Sequence, residues 1–158
     1  MSFDSRELRD ALGRFATGVT LVTAMTPDQR ALGMTANSFS SVSLDPPLVL
    51  WNLQNTSDVY EYFSQPRHFA INVLTQEQLD LSNQYARKDQ HELDADHYRV
   101  GKHGAPVIRD ALMTFECELY ATHEGGDHLI IVGRVLELSG LPEGNPLLFY
   151  SGSYGELH

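Results

Sequence analysis

The 158 residues, 42% hydrophobic and 20% charged, have the size and composition of one globular domain, residues 1–158, with a continuous core. Eleven Lys and Arg against twenty-one Asp and Glu give a formal charge of −10, and the basic residues are scattered, which argues against a nucleic-acid surface. No apolar run approaches the ~18 residues of a membrane span, the start MSFDSRELRD is too charged for a secretory signal, and the single Cys117 cannot form an internal disulfide, so cytoplasm is the expected compartment.

In chain order, Asp4 or Ser5 caps a first helix, with Leu8, Ala11, Leu12 and Phe15 at helical spacing and Gly18 as the stop. That helix is expected to pack one face on the domain. Val19 to Met25 turns β-branched, TPDQR makes a turn, and Ala31 to Asn37 returns as the second strand of a hairpin. Leu48 to Leu53 is a near-continuous apolar run, expected to be a strand buried on both faces and started by Pro46-Pro47. Ser57 opens a short helix through Phe63, His68 to Leu74 is a strand, and Gln76 to Arg87 is a polar helix with Leu79 and Tyr85 on its weak apolar face. Lys88 to Pro106 has charge, three histidines and no clear period, which predicts a long loop. Met113, Phe115, Cys117, Leu119 and Ala121 alternate with polar neighbours in an amphipathic strand. After the turn Glu124-Gly125-Gly126-Asp127, His128 to Leu138 returns, with Gly133 marking a bulge or a close approach. Strands in hairpins with helices between them point to a mainly β, antiparallel barrel with peripheral α-helices.

Familiar catalytic patterns are absent: no GxGxxG, no P-loop, no HExxH, and SGSYG has Ser151 where a nucleophile elbow needs its first glycine. Cys117 falls on the apolar side of its strand and is read as a core thiol. His91, His97 and His103, six residues apart, suit neither one helical face nor a zinc pattern, so no metal is expected.

What remains is built from neutral polar groups. Thr35, Asn37, Ser38, Ser40, Ser41 and Ser43 in GMTANSFSSVSLDPP offer donors and acceptors, and Ala36 leaves room for a flat ligand. Such a surface suits a heteroaromatic ring edged with carbonyls and nitrogens; it equally suits a barrel rim whose hydroxyls satisfy the backbone. Asn52 to Asp58, NLQNTSD, puts hydroxyls at a helix start, either as a phosphate seat or as simple caps. Asp127-His128 sits at the mouth of a strand, where a turn acid beside a surface histidine is the plain reading.

Together FATGVTLVTA, GMTANSFSSVSLDPPLVLWNL, FAINVL, GDHLIIVGRV and PLLFYSGSYG resemble, in order and approximate spacing, the short-chain flavin reductase family, the FMN-binding split-barrel proteins that supply reduced flavin to two-component monooxygenases. The resemblance implies an antiparallel split β-barrel of Greek-key type, a homodimer, and hydride transfer from a nicotinamide nucleotide to FMN or FAD, serving a partner oxygenase. It implies that Thr35, Ala36, Asn37, Ser38, Phe39 and Ser43 belong to the flavin-ring segment and that Asn52, Thr56 and Ser57 receive the phosphate. Asp127 and His128 would lie at the nicotinamide side, with His128 as the catalytic candidate, and Tyr150 and Tyr154 near the flavin. Relatives often carry a lysine in the phosphate loop where this chain reads QNTSD and arginine in the tail where it has Ser151 and Ser153; these losses of positive charge favour NADH over NADPH, with Arg30, Arg67, Arg87, Lys88 or Lys102 as the cations that could substitute from elsewhere. A non-catalytic flavin carrier or store of the same fold is the alternative of a different class.

Overall fold

A computed structural model of the chain describes residues 2–158. Helix α1, Ser5–Leu12, begins where the Asp4 carboxylate accepts the Glu7 N–H at 2.8 Å, and it ends at Gly13 rather than Gly18. Its expected apolar face is uncovered: Leu12 is 66% and Phe15 78% exposed. The chain continues through β1 (Thr17–Gly18), β2 (Thr20–Met25), β3 (Ala31–Ala36), β4 (Ser40–Leu44) and β5 (Pro47–Gln54). Helix α2 (Tyr60–Phe63), β6 (His68–Val73) and α3 (Leu79–Tyr85) follow, then β7 (Tyr98–Val100), β8 (Pro106–Ile108), β9 (Met113–Gly125), β10 (His128–Gly140), β11 (Leu148–Tyr150) and β12 (Ser153–Gly155).

The protein is mainly β. Seven strands form one antiparallel sheet in the order β3-β2-β6-β9-β10-β5-β4, β7 and β8 form a separate hairpin, and β1, β11 and β12 form a small third sheet. No ladder joins the end strands β3 and β4 among the described residues, so the sheet has a seam there. None of the helices is long and apolar enough to cross a membrane among the described residues.

Four sequence expectations change. β5 alternates, with Val49, Trp51 and Leu53 buried and Leu48, Leu50 and Asn52 only partly so, because one of its faces borders the site rather than core. The helix expected from Ser57 begins only at Tyr60 and has no side-chain cap; the Ser57 hydroxyl instead accepts the Val59 N–H at 3.3 Å. β9 is buried on its polar side too, where Thr114 and Glu116 are 1% and 4% exposed. Glu116 Oε1 accepts the Lys102 N–H at 2.9 Å, which supplies the bond that a buried carboxylate requires. The expected loop 88–106 holds the β7 strand and a turn of 3-10 helix at Ala95–His97, and residues 91–93 run beside β3.

At Gly133 the expected bulge and close approach both occur. The β9–β10 register shifts between Val132 and Gly133, and a Cβ there would lie 2.6 Å from the Phe69 ring. SGSYG is a hairpin: Tyr150 pairs with Ser153 around Ser151 and Gly152, both at positive φ, so no nucleophile elbow forms. Cys117 is buried, and burial pushes its thiol up to about 12, in keeping with an inert core position.

Candidate active site

The end of β3, the start of β10 and the outer part of β5 surround a cleft of about 420 Å³, lined by Thr35, Ala36, Asn37, Ser38, Asn52 and His128 among others. It shares Met34, Thr35 and Gln54 with a second recess of about 520 Å³, lined also by Thr56, Ser57, Asp58, Tyr85, Lys88 and His91. The two form one elongated depression with neutral amides and small side chains at one end, and hydroxyls beside an ammonium group at the other.

Local bonding explains how this shape arises. After β3 the chain turns under β5, and the Ser38 hydroxyl accepts the Asn52 N–H at 2.9 Å, clamping the turn to β5. Thr35 Oγ1 donates to the Ser82 carbonyl at 2.7 Å and so ties β3 to α3. The Ser38 hydroxyl in turn donates to the Asn52 carbonyl at 3.4 Å, so both hydroxyl protons go to the protein's own main chain, and part of the polar character of GMTANSF holds the rim in place. The side chain of Asn52 differs: its Oδ1 is buried and has no partner. An orphaned buried acceptor at a cleft wall costs on the order of 1–3 kcal/mol unless a ligand donor meets it, which fits a ring bearing an N–H.

At the other flank Asn55 ties the β5 end to the turn before β10, its N–H donating to the Asp127 carbonyl at 3.0 Å and its Nδ2 to the Gly126 carbonyl at 3.2 Å. Asp127 Oδ1 lies 2.7 Å from His128 Nδ1; a carboxylate accepts, so Nδ1 carries the hydrogen and Nε2 is left free on a side chain that lines the cleft. The same bond holds the Asp127 carboxyl below the usual carboxylate range.

The structure therefore gathers Thr35, Ala36, Asn37, Ser38, Asn52 and His128 at one end and Thr35, Thr56 and Ser57 at the other. Asp127 sits behind His128. Phe39 packs in the core with its ring 5.3 Å from that of Phe115. Ser43 lies on the end strand β4, where its hydroxyl accepts the Asp45 N–H at 3.2 Å, and is not part of either recess. Tyr150 lies beside Arg14, whose hydrogen bond lowers its phenol, and Tyr154 reaches Ser82 Oγ at 2.8 Å, one link from Thr35.

Of the cations that the sequence left open, Lys88 lines the hydroxyl end. Arg30 is paired with Asp28 at 3.1 Å and Lys102 with Glu137 at 3.1 Å, while Arg67 lines a separate recess with His68 and His103. Gln54, Tyr85 and His91 also line the site without having been singled out as ligands; Gln54 adjoins the NTSD motif, whereas only the fold brings residues 85–91 opposite it. The three loop histidines go to different partners: His91 to Asp58, His97 to Tyr85, and His103 beside Glu137.

The flavin reductase like domain matches residues 12–158. The chain is 48% identical over 152 residues to the FMN reductase (NADH) SmoA of Agrobacterium fabrum, covering 96% of this chain and 86% of that protein. It is 42% identical over 149 residues to the reductase component of the flavin-dependent trigonelline monooxygenase of Acinetobacter baylyi, covering 94% of this chain but only 48% of that protein. Its fold superposes on the NADH:FAD oxidoreductase of Streptomyces globisporus, solved in complex with NAD and FAD fragments, with a TM-score of 0.92 at 35% identity, covering 98% of this chain and 93% of that one. On a match that spans nearly the whole sequence, the chain belongs to the flavin reductase-like family.

Proposed function

We propose that the chain is an NAD(P)H-dependent flavin reductase that uses NADH in preference to NADPH and supplies reduced FMN or FAD to a separate oxygenase component. The observation that carries this reading is the two-ended cleft: a neutral end with an unpartnered Asn52 Oδ1, and a hydroxyl end that includes Lys88. The names of the relatives support it, since SmoA is an NADH-linked FMN reductase and the Streptomyces protein an NADH:FAD oxidoreductase. The residues lining the His128 end include no Lys or Arg among those described, which favours the nicotinamide nucleotide without the extra phosphate.

When bound, flavin supplies the hydride acceptor and the nicotinamide the donor. The chain contributes position. Ala36, Asn37 and Asn52 would border the ring, while Thr56, Ser57 and Lys88 would hold the phosphate. His128, its tautomer fixed by Asp127, would meet the nicotinamide with Nε2 and exclude water. Holding two reactants in register is worth on the order of 7–11 kcal/mol in favourable cases, so no protein nucleophile is required. We read the seamed sheet as the antiparallel split β-barrel, and the uncovered Leu12, Phe15, Val42 and Leu44 as support for a homodimer. Cytoplasm is the compartment that goes with this reading.

The test is direct: purify the protein, record whether it is yellow, and follow NADH and NADPH oxidation with and without FMN, FAD or riboflavin. Oxidation that depends on added flavin is expected. Tight flavin binding with no oxidation under any condition would instead identify a carrier.

A further inference from the structure

His91 is 8% exposed, and both of its ring nitrogens meet acceptors. Nδ1 lies 3.0 Å from the Gly33 carbonyl oxygen, and Nε2 lies 3.2 Å from Asp58 Oδ1. The ring thus lies between the β3 main chain and the Asp58 carboxylate, hydrogen-bonded to the first and within ion-pair distance of the second. Burial works against a charge on Asp58, but the Asp89 N–H, at 2.8 Å from Oδ2, and His91 hold its carboxyl below the usual range.

This pair spans the hydroxyl end of the cleft. Thr56, Ser57 and Asp58 form one wall, and Lys88 and His91 belong to the other. The second wall is anchored to β3 by main-chain bonds, Gly33 N–H to the His91 carbonyl and Leu93 N–H to the Ala31 carbonyl, each 2.8 Å. Asp58 is the direct link between the walls, since it takes both the His91 ring and the Asp89 main chain.

We propose that His91 and Asp58 form a latch that fixes the separation of these walls and so holds Lys88 against the phosphate of a flavin nucleotide, a role that rests on the flavin reading given above. His91 is then a positioning residue. Loss of the ring removes one of the two ties that Asp58 makes to this wall, the walls loosen, and Lys88 loses its register. The other titratable and charged groups here are Tyr85 at the end of α3 and Arg87, Lys88, Asp89 and Glu92 on the segment itself; β3 presents the Gly33 main chain. Tyr85 is already engaged by His97 Nδ1 at 2.8 Å and the Asp94 N–H at 3.0 Å.

The test titrates the parent protein, His91→Gln and Asp58→Asn with FMN and with riboflavin at one pH, and follows amide hydrogen exchange of residues 86–93 in each flavin-free protein. In both variants the preference for FMN over riboflavin is expected to fall by about fivefold, at the low end of coupling between linked sites, and exchange at Asp89 to be faster than in the parent. A parent-like FMN preference in both variants, or an equal loss of FMN and riboflavin binding, would overturn the proposal. Exchange that quickens while the FMN preference holds would remove the role given to Lys88. Binding of neither flavin by the parent would defeat the flavin reading itself, and the exchange comparison would then still decide whether the latch exists.

Discussion

Replacing Asn72 by Leu should come close to unfolding the protein. Asn72 is fully buried on β6, and its amide is used on every side: Nδ2 donates to the Leu21 carbonyl at 2.8 Å and to Thr23 Oγ1 at 3.1 Å, and Oδ1 accepts from the Ile108 N–H at 3.0 Å and from Thr114 Oγ1 at 2.8 Å. It joins β2, β8 and β9 through a single side chain. Ile108 N–H has no alternative within its hairpin, because the neighbouring Arg109 N–H bonds to the His97 carbonyl, which makes Tyr98–Ile108 a non-hydrogen-bonded pair. Thr23 keeps its bond to the Pro106 carbonyl at 2.6 Å. Leucine therefore strands two donors, Ile108 N–H and Thr114 O–H, each costing about 1–3 kcal/mol when buried. A loss of about 4 kcal/mol is a large part of a typical 5–15 kcal/mol stability, and with a urea slope near 2 kcal/mol per M it lowers the midpoint by roughly 2 M. Urea unfolding followed by Trp51 fluorescence measures this. Adding Thr114→Val should return part of the loss by removing one stranded donor. A single-variant loss below about 1 kcal/mol, or no recovery in the double variant, would show that the network is not the link between the strands that the geometry describes.

Three further outcomes bear on the site and its scaffold. His128→Ala should lower turnover with NADH by up to about 100-fold, the cost of misplacing a reactant by about 1 Å, while leaving flavin affinity nearly intact; equal turnover would remove its role. Ala36→Leu should block flavin binding by filling the neutral end of the cleft, which a flavin titration matching the parent would refute. Cys117, its thiol pushed up to about 12 by burial, should resist alkylation in the folded state near pH 8, since the thiolate is the reacting form; rapid stoichiometric labelling without denaturant would contradict its placement in the core.

The local signals in the sequence survive best where a cap, a turn or a bulge sets the structure. The Asp4 cap, the β2–β3 hairpin, the Gly133 bulge and the turn at Gly126-Asp127 are each decided by residues within a few positions, and each appears near its expected place. Where a second layer covers a strand, periodicity misleads. Thr114 and Glu116 read as the wet side of β9, yet Asn72 and the Lys102 main chain satisfy them in the interior. β5 errs the other way: Leu48 and Leu50 are apolar but only partly buried, on the same face of the strand as Asn52 and Gln54, which line the cleft.

The site shows the same division. Its neutral end was legible where Thr35 to Ser38 are consecutive; Asn52, expected with the phosphate, lines this end instead, where its main chain meets the Ser38 hydroxyl. The hydroxyl end was legible only in part. QNTSD lacks the expected lysine, and nothing local to residues 54–58 indicates what replaces it; the charge arrives thirty residues later on a segment whose composition resembles a solvated loop. What turns that segment into a wall is main-chain pairing with β3 together with one carboxylate, Asp58, that receives both Asp89 and His91. The departure from the family's phosphate motif and the buried histidine are therefore two sides of one arrangement. On the reading proposed above, with no lysine inside the 54–58 loop, phosphate charge would be met from the opposite wall, and the loop's own Asp58 would fasten that wall in place.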